Sequence, residues 1–283
     1  KSKVGQQDVF LQKFNSDNIL EWVVTAGSSS IDLASDVVVD SDKNVYVTGV
    51  FRNSVDFDPD PTKTDNHSSN GRTDVFVWKL DSNGKHLWVK TFGGTYEDEV
   101  EGIALDKQNN IILTGFFKQT VDFDPGSGTY NQTAVSSGDY YILKLTSAGA
   151  FSWVNVTQDT DEPKGLHVHT DNDDNIYAFG SFSGSIDFDP TNFIVNVTTP
   201  SRTHGIFFVK YNSTGDLIWA KSFGKTWEAQ IGAIDYDSTF GFLVSGTFED
   251  SCDLDPTSAV KMVYGNSIND VFVAQMDTAD NLV

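Results

Sequence analysis

Paired carboxylates two residues apart are the groups in this chain best suited to chemistry. They occur as Asp56 and Asp58, Asp122 and Asp124, Asp187 and Asp189, and Asp253 and Asp255, each pair followed by proline. In an extended segment residues i and i+2 point to one side, so each pair presents two carboxylates. The residue between them (Phe57, Phe123, Phe188 or Leu254) turns into the sheet. Two carboxylates held together repel unless a cation, a proton or backbone amides compensate them. A hard divalent ion takes oxygen ligands of this kind, so calcium is the metal expected at these eight aspartates. The alternative is that each aspartate caps a turn through backbone N–H groups, with the proline fixing the exit. The turns Asp40-x-Asp42-x-Asn44 and Asp171-x-Asp173-x-Asn175 also imitate the start of a calcium loop. Their counterparts Asp106-Lys-Gln-Asn-Asn110 and Asp237-Ser-Thr-Phe-Gly241 lack the glycine and glutamate of an EF-hand, so a plain turn is the better reading.

Five Asn-x-Ser/Thr triplets, at Asn66, Asn131, Asn155, Asn196 and Asn212, are candidate sites for N-linked glycans. Chance gives almost as many in a chain this rich in Ser and Thr, so their phase is more informative than their number. Asn66, Asn131 and Asn196 are each 65 residues apart and so share one structural position. Alternating apolar residues around that position, as in Phe193-Ile-Val-Asn-Val197 and Val260-Lys-Met-Val-Tyr264, predict a short strand on a sheet edge. A glycan there, with Lys261 in the same position of the last module, blocks the edge against pairing with other chains.

Other reactive groups are sparse. His67, His86, His167, His169 and His204 do not recur in phase. His167 and His169, two apart on one strand, are the only foothold for an enzyme or a metal in an axial channel. No catalytic triad and no phosphate-cradling glycine loop stands out, so no catalytic residue is assigned. Cys252 fills the slot of Val55, Val121 and Ile186 and reads as a small buried apolar residue. Tyr96 and Trp227, in matching positions, motivate the alternative of a carbohydrate-binding module.

The elements that carry these residues repeat every 65 or 66 residues, with copies starting near 8, 74, 139, 205 and 270. Each copy opens with a strand of the type Asp74-Val-Phe-Val-Trp-Lys-Leu80, turns at a segment such as Asp81-Ser-Asn-Gly84, and continues into a strand bearing Trp22, Trp88, Trp153 or Trp219. A strand of small residues follows, as in Gly102-Ile-Ala-Leu105, and then one ending in Gly49, Gly115, Gly180 or Gly246. Four short strands per copy, with no helical periodicity, predict an all-β fold: a β-propeller of four-stranded antiparallel blades in one domain over residues 1–283. Four or five blades are expected, with incomplete terminal ones. The N-terminus supplies two strands, Asp8 to Phe14 and Leu20 to Thr25, and the C-terminus a copy of only the first, Asp270 to Met276. The two ends either merge into one blade with a strand to spare or remain separate, and a spare strand is a ready donor to a neighbouring molecule in a head-to-tail filament.

The run Asp74-x-Phe-Val-x-Lys-Leu-Asp-x-x-Gly-x-x-x-Trp88, then Gly93-Gly94, then Ile103-Ala-x-Asp-x-x-x-Asn-Ile-x-x-Thr-Gly115, resembles the SBBP-type β-propeller repeat. The likeness covers nearly the whole chain. It implies a propeller module of secreted and cell-surface proteins and brings no catalytic residues with it. Gly205 in place of Asp and Met276 in place of Leu depart from the pattern.

Composition narrows the partners. Forty acidic against nineteen basic residues give a net charge of −21, a field that repels nucleic acid and anionic lipid. No run of eighteen apolar residues is present, so no membrane-spanning helix is expected, and a start at Lys1 fits a processed protein or an excised segment. The expected protein is thus a non-enzymatic extracellular or cell-surface glycoprotein, structural or adhesive. It acts by self-association or by contact with other extracellular proteins.

Overall fold

The computed structural model describes residues 6–135, 137–157, 164–189, 191, 195–200, 203–226, 229–257, 259–266, 269–277 and 281–283. Pro190, Phe193, Ile194 and Trp227, singled out above, lie outside them. Among the described residues every regular element is a β-strand, and no helix is long and apolar enough to cross a membrane. The chain divides into two compact units, one of residues 1–134 and 144–152, the other of 135–143 and 153–283.

In the first unit the strands are β1 (Val9–Phe14), β2 (Leu20–Ala26), β3 (Leu33–Val39), β4 (Val45–Phe51), β5 (Ser54–Asp56), β6 (Asn66–Ser68), β7 (Asp74–Leu80), β8 (His86–Gly94), β9 (Glu99–Leu105), β10 (Ile111–Phe117), β11 (Thr120–Asp122) and β12 (Asn131–Thr133). The division runs through β13 (Asp139–Leu145) and β14 (Phe151–Val156). The second unit holds β15 (Lys164–Thr170), β16 (Ile176–Ser183), β17 (Ser185–Asp187), β18 (Asn196–Thr198), β19 (His204–Tyr211), β20 (Leu217–Thr226), β21 (Ala229–Asp237), β22 (Gly241–Phe248), β23 (Ser251–Asp253), β24 (Met262–Tyr264) and β25 (Asp270–Met276).

Sheets and sequence copies are out of step. The strands β3–β4–β7–β8 run antiparallel within a sheet of six, and β15–β16–β19–β20 form a sheet of four. Each takes its small-residue and glycine-ended strands from one copy and its Asp-initiated and tryptophan strands from the next. The register is the same in both units: Phe51 opposes Asp74 and Val45 opposes Leu80, as Phe248 opposes Asp270 and Phe242 opposes Met276. The copy boundaries expected near 74 and 205 therefore fall inside sheets, because a strand-initial Asp pairs backwards onto the preceding glycine-ended strand. At the ends, β1 pairs with β2 as a sheet of two, and β25 takes the free edge of β22 in a sheet of three.

The glycines ending these strands serve a local purpose. A Cβ on Gly49 falls 2.0 Å from the Leu33 carbonyl oxygen, and one on Gly246 falls 2.2 Å from that of Gln230. Both sit where the neighbouring strand bulges, between Ala34 and Asp36 and between Ile231 and Ala233. Close backbone approach selects glycine at these positions.

Aromatic side chains fill the core between sheets. In the first unit Phe57 is buried against Phe51, Phe76 and Trp78 at ring-centre distances of 5.7, 5.2 and 5.9 Å. In the second, Phe179 stacks on Phe208 at 3.8 Å, and Phe242 closes on both. Burying each such ring stabilises the fold by about 1.5–3 kcal/mol. The tryptophans tie the outer strand of one sheet to the hairpin of the next. The Trp22 indole N–H donates to the Ser82 carbonyl at 3.1 Å, and Trp153 donates to Ser213 sixty residues on from its own position, at 3.4 Å. Gly84 adopts a φ of +76° beneath Trp22, and a Cβ there meets the indole at 2.9 Å. Gly84→Ala should therefore cost about 1–2 kcal/mol of unfolding free energy from backbone strain and displacement of the ring. Urea titration followed by tryptophan fluorescence measures it, and an unchanged midpoint contradicts the latch.

Candidate functional site

The four Asp-x-Asp elements fold alike. Each begins with a three-residue strand (β5, β11, β17 or β23) that pairs with the short strand of the following link (β6, β12, β18 or β24). The central residues Phe57, Phe123, Phe188 and Leu254 are buried, as expected for alternation. The carboxylates turn to the backbone. Asp56 Oδ1 accepts the amides of Asp58 at 3.1 Å and Asp65 at 3.0 Å. Asp122 accepts those of Asp124 and Tyr130, Asp187 those of Asp189 and Val195, and Asp253 those of Asp255 and Lys261. The second aspartate of each pair caps the next turn, Asp58 accepting from the Asp60 amide and Asp124 from Gly126. Asp189 and Asp255 accept both the amide and the hydroxyl of Thr191 and Thr257. Among the described residues no group of three His, Cys, Asp or Glu side chains is placed to hold a metal ion. The donors that offset the paired charges are amides, which is the turn-capping alternative.

The Asp-x-Asp-x-Asn turns and their counterpart at Asp106 work the same way. Asp106 Oδ1 accepts the Gln108 and Asn110 amides, and its Oδ2 accepts the Asn110 side chain and the Lys144 ammonium at 2.9 Å. Burial works against its charge, but the Asn110 side chain, Lys144 and the Asn110 amide hold its carboxyl below the usual carboxylate range. Asp40 and Asp171 are capped by Asn44 and Asn175 in the same manner and are likewise lowered despite burial.

The sequons separate into two kinds. Asn66, Asn131 and Asn196 are exposed, each the first residue of a link strand and each directly opposite the first aspartate of its pair. β12 is the outermost strand of a six-stranded sheet, β12–β11–β8–β7–β4–β3, so Asn131 lies on an open edge. The register places Met262, not Lys261, opposite Asp253; Lys261 matches Asp65, Tyr130 and Val195, whose amides bind the aspartate. The other two sequons are occupied. Asn155 donates its side-chain amide to the Gly215 carbonyl at 2.7 Å, and Asn212 donates to Asp216 at 2.8 Å while accepting the Thr214 and Asp216 amides.

A polar row absent from the sequence reading lies beside the first sequon. Asp65 takes the Nε2–H of His67 on one oxygen at 3.2 Å and that of His86 on the other at 3.0 Å. Trp78, whose indole N–H can only donate, bonds His86 Nδ1 at 3.0 Å and so fixes its tautomer. His67 Nδ1 faces the Thr91 hydroxyl at 3.0 Å. Hydroxyl, imidazole and carboxylate in a row is the order used by nucleophilic hydrolases. Here the row ties the β6 link to β7 and β8. In the next copy Tyr130 and Phe151 take the positions of Asp65 and His86 and stack at 4.6 Å. The five residues come from the link before β6 and from strands β6, β7 and β8, and they occur together in one copy only, so no repeated spacing marks them.

His169 packs on Tyr236 at 4.7 Å and Phe242 at 5.8 Å, and burial lowers the affinity of its ring for a proton against the pull of Asp235 and Asp171. Cys252 is buried, its thiol pushed up to about 12 by burial and then by Asp253. Tyr96 is exposed.

No family model matches the chain. It is similar to a WD repeat-containing protein. That relative, uncharacterized protein L264 of Acanthamoeba polyphaga mimivirus, is 23% identical over 241 residues, which cover 74% of this chain and 17% of the relative. Regulatory protein FlaEY of Caulobacter vibrioides is 27% identical over 128 residues, 44% of this chain and 13% of that protein. The chain thus spans less than a fifth of the length of either relative.

Two measurements probe these carboxylates. Asn keeps the Oδ1 acceptor, so Asp122→Asn should change the melting temperature little, whereas Asp122→Ala leaves two amides without it and should cost about 1–3 kcal/mol. EDTA should leave the wild-type melting curve in place; a curve lowered by EDTA favours the calcium reading. The second concerns two fully buried acids. Burial pushes Asp74 up to about 6, against the Asn70 and Gly71 amides, and Asp98 up to about 7, with the Asp74 and Glu97 charges adding to it. Folding favours their protonated forms, so this stabilisation is full below the ordinary carboxylate range and is lost as pH rises through 6 to 7. Asp74→Asn should raise stability at pH 8 by about 1–2 kcal/mol and flatten the slope between pH 5 and 7 in urea unfolding. An unaltered slope contradicts the assignment.

Proposed function

We propose that the chain is a segment of a β-propeller of the SBBP-repeat kind that works outside the cell as a glycosylated scaffold, through protein contacts rather than catalysis. WD repeats are four-stranded propeller units, so the similarity to the mimivirus protein and the repeated antiparallel sheets both support the propeller. The observation that carries the scaffold reading is the division of the sequons. The three in phase are exposed on link strands, where an unpaired edge otherwise invites association, while the two out of phase have their amides engaged in holding turns. Calcium is not needed in this reading, because the backbone amides already offset the paired aspartates.

The test is intact mass before and after enzymatic removal of N-glycans, on protein secreted from eukaryotic cells and from its natural source. Asn66→Gln, Asn131→Gln and Asn196→Gln should each remove one glycan. Asn155→Gln and Asn212→Gln should leave the number unchanged. A natural-source mass that deglycosylation does not shift overturns the reading.

A further inference from the structure

Three copies carry the same trio in phase: Asp40, Asn44 and Lys79; Asp106, Asn110 and Lys144; Asp171, Asn175 and Lys210. In the last copy Gly241 and Gln275 replace the asparagine and the lysine together. The trios differ in what reaches the second aspartate oxygen. In the first and third a tyrosine hydroxyl takes it, Tyr46 on Asp40 Oδ2 at 3.2 Å and Tyr177 on Asp171 Oδ2 at 3.0 Å. Lys79 and Lys210 then lie over those rings, 4.5 and 4.7 Å from their centres, and Lys210 Nζ stays 3.9 Å from Asp171 Oδ2. In the second copy the tyrosine position holds Ile112, and the Lys144 ammonium reaches Asp106 Oδ2 at 2.9 Å.

Lys144 and Asp106 are buried, at 6% and 4% exposure. Asn110 Nδ2 donates to the same Asp106 oxygen at 2.8 Å, so amine and carboxamide meet at one carboxylate. The carboxamide is held on its other side too, because Asn110 Oδ1 accepts the Ser147 amide at 3.2 Å. Asp106 follows β9, Asn110 precedes β10, Lys144 lies near the end of β13 and Ser147 in the turn after it, and all four belong to the first unit. Nucleophile, proton carrier, acyl group and a donor to the acyl oxygen are the parts of an acyl transfer. Fixed contact between them supplies the proximity, and burial keeps water from competing for the acyl carbon.

We propose that Lys144 and Asn110 join spontaneously in an isopeptide bond within the chain, with Asp106 carrying the protons. Asp106 Oδ2 takes a proton from the Lys144 ammonium, and the freed amine attacks Asn110 Cγ. The Nζ–Cγ bond forms while the charge that develops on Oδ1 is met by the Ser147 N–H. Asp106 hands two amine protons in turn to Nδ2, the Cγ–Nδ2 bond breaks, and the nitrogen departs as ammonium, leaving Asp106 ionised again. Burial favours the neutral acid and the Asn110 and Lys144 contacts favour the ion, so Asp106 takes a proton only briefly. A bond formed once per molecule tolerates so slow a step. It ties the start of β10 to the end of β13 and restrains the unfolded chain as a disulfide does. The trios of Asp40 and Asp171 stay non-covalent, because Tyr46 and Tyr177 occupy the oxygen that the amine needs.

The inference does not depend on glycosylation, so the test is mass spectrometry of the unglycosylated chain. The intact protein, held folded at mildly alkaline pH, should weigh one ammonia less than its sequence. Trypsin cuts after Lys107, Lys118 and Lys164 but not after an acylated Lys144, so residues 108–118 and 119–164 should emerge as one branched peptide joined through Asn110 and Lys144. Lys144→Arg keeps a cation beside Asp106, and Asp106→Asn keeps an acceptor for the Asn110 amide. Both should fold, as circular dichroism reports, and both should keep the full sequence mass. A wild-type chain at full mass overturns the proposal whatever the variants do. So does loss of water in place of ammonia, which joins Lys144 to Asp106. Loss of ammonia without the branched peptide also overturns it, and marks a cyclic imide at Asn70-Gly71 or Asn83-Gly84. A branched peptide that persists in Asp106→Asn removes Asp106 from the reaction and overturns the mechanism.

Discussion

A carboxylate oxygen accepting backbone amides two and four residues further on is the interaction from which this architecture is assembled. Asp81, Asp106 and Asp171 each close a hairpin this way, Asn212 does the same with its amide oxygen, and Asp40 and Asp277 accept the amide four residues on. The first aspartate of each Asp-x-Asp pair extends the device to amides eight or nine residues away, pinning the far end of the link. A hydrogen bond to a charged group contributes about 1.5–3 kcal/mol, and a tight turn leaves several amides that strands cannot use. The net charge of −21 is in good part the consequence. An all-β chain with a turn every eight to twelve residues needs many short acceptors, and Asp is the acceptor that repeats.

The strands were legible in the sequence because their period is two and their turns are marked by Asp, Asn and Gly. Which strands share a sheet was not legible. Repeat boundaries drawn at Asp74 or Asp270 are natural to the eye, but pairing of Phe51 with Asp74 and of Phe248 with Asp270 joins strands across them. The Asp-Phe-Asp-Pro hairpin interrupts each sheet in sequence without interrupting it in space. Spacing also misplaced one residue. The extra residue of the last copy falls before Asp253, so counting 65 from Asn196 reaches Lys261 where the register reaches Met262. Asp74 reads as a strand-initial polar residue and nothing in the sequence marks Asp98, and only their burial makes them acids held near neutrality.

The paired carboxylates show why composition alone leaves chemistry open. Their spacing, their recurrence and the acidity of the chain all suit a divalent cation, and all suit a turn built on amides equally well. What distinguishes the two is direction. In the structure Asp56, Asp122, Asp187 and Asp253 each turn one oxygen back onto the amides of their own link. Direction is set by the three-residue pairing of β5 with β6 and its equivalents, a contact too short to announce itself by periodicity.

The same comparison between copies decides how to weigh the row from Thr91 to Trp78. Taken alone, a hydroxyl, an imidazole and a carboxylate within hydrogen-bonding distance invite a catalytic reading. The repeat supplies an internal control. Where the first copy has Asp65 bonded to His86, the second has Tyr130 stacked on Phe151, and in both the pair joins the residue before the link strand to the start of the tryptophan strand. The mechanical task persists while its chemistry changes from ionic to aromatic, as expected of a clamp. Proton transfer depends on group identity, whereas holding a link against a rim requires only contact. The in-phase asparagine beside the clamp persists as asparagine in three copies, on strands whose other residues vary, and so it is at the link edge, not along the polar row, that residue identity itself recurs.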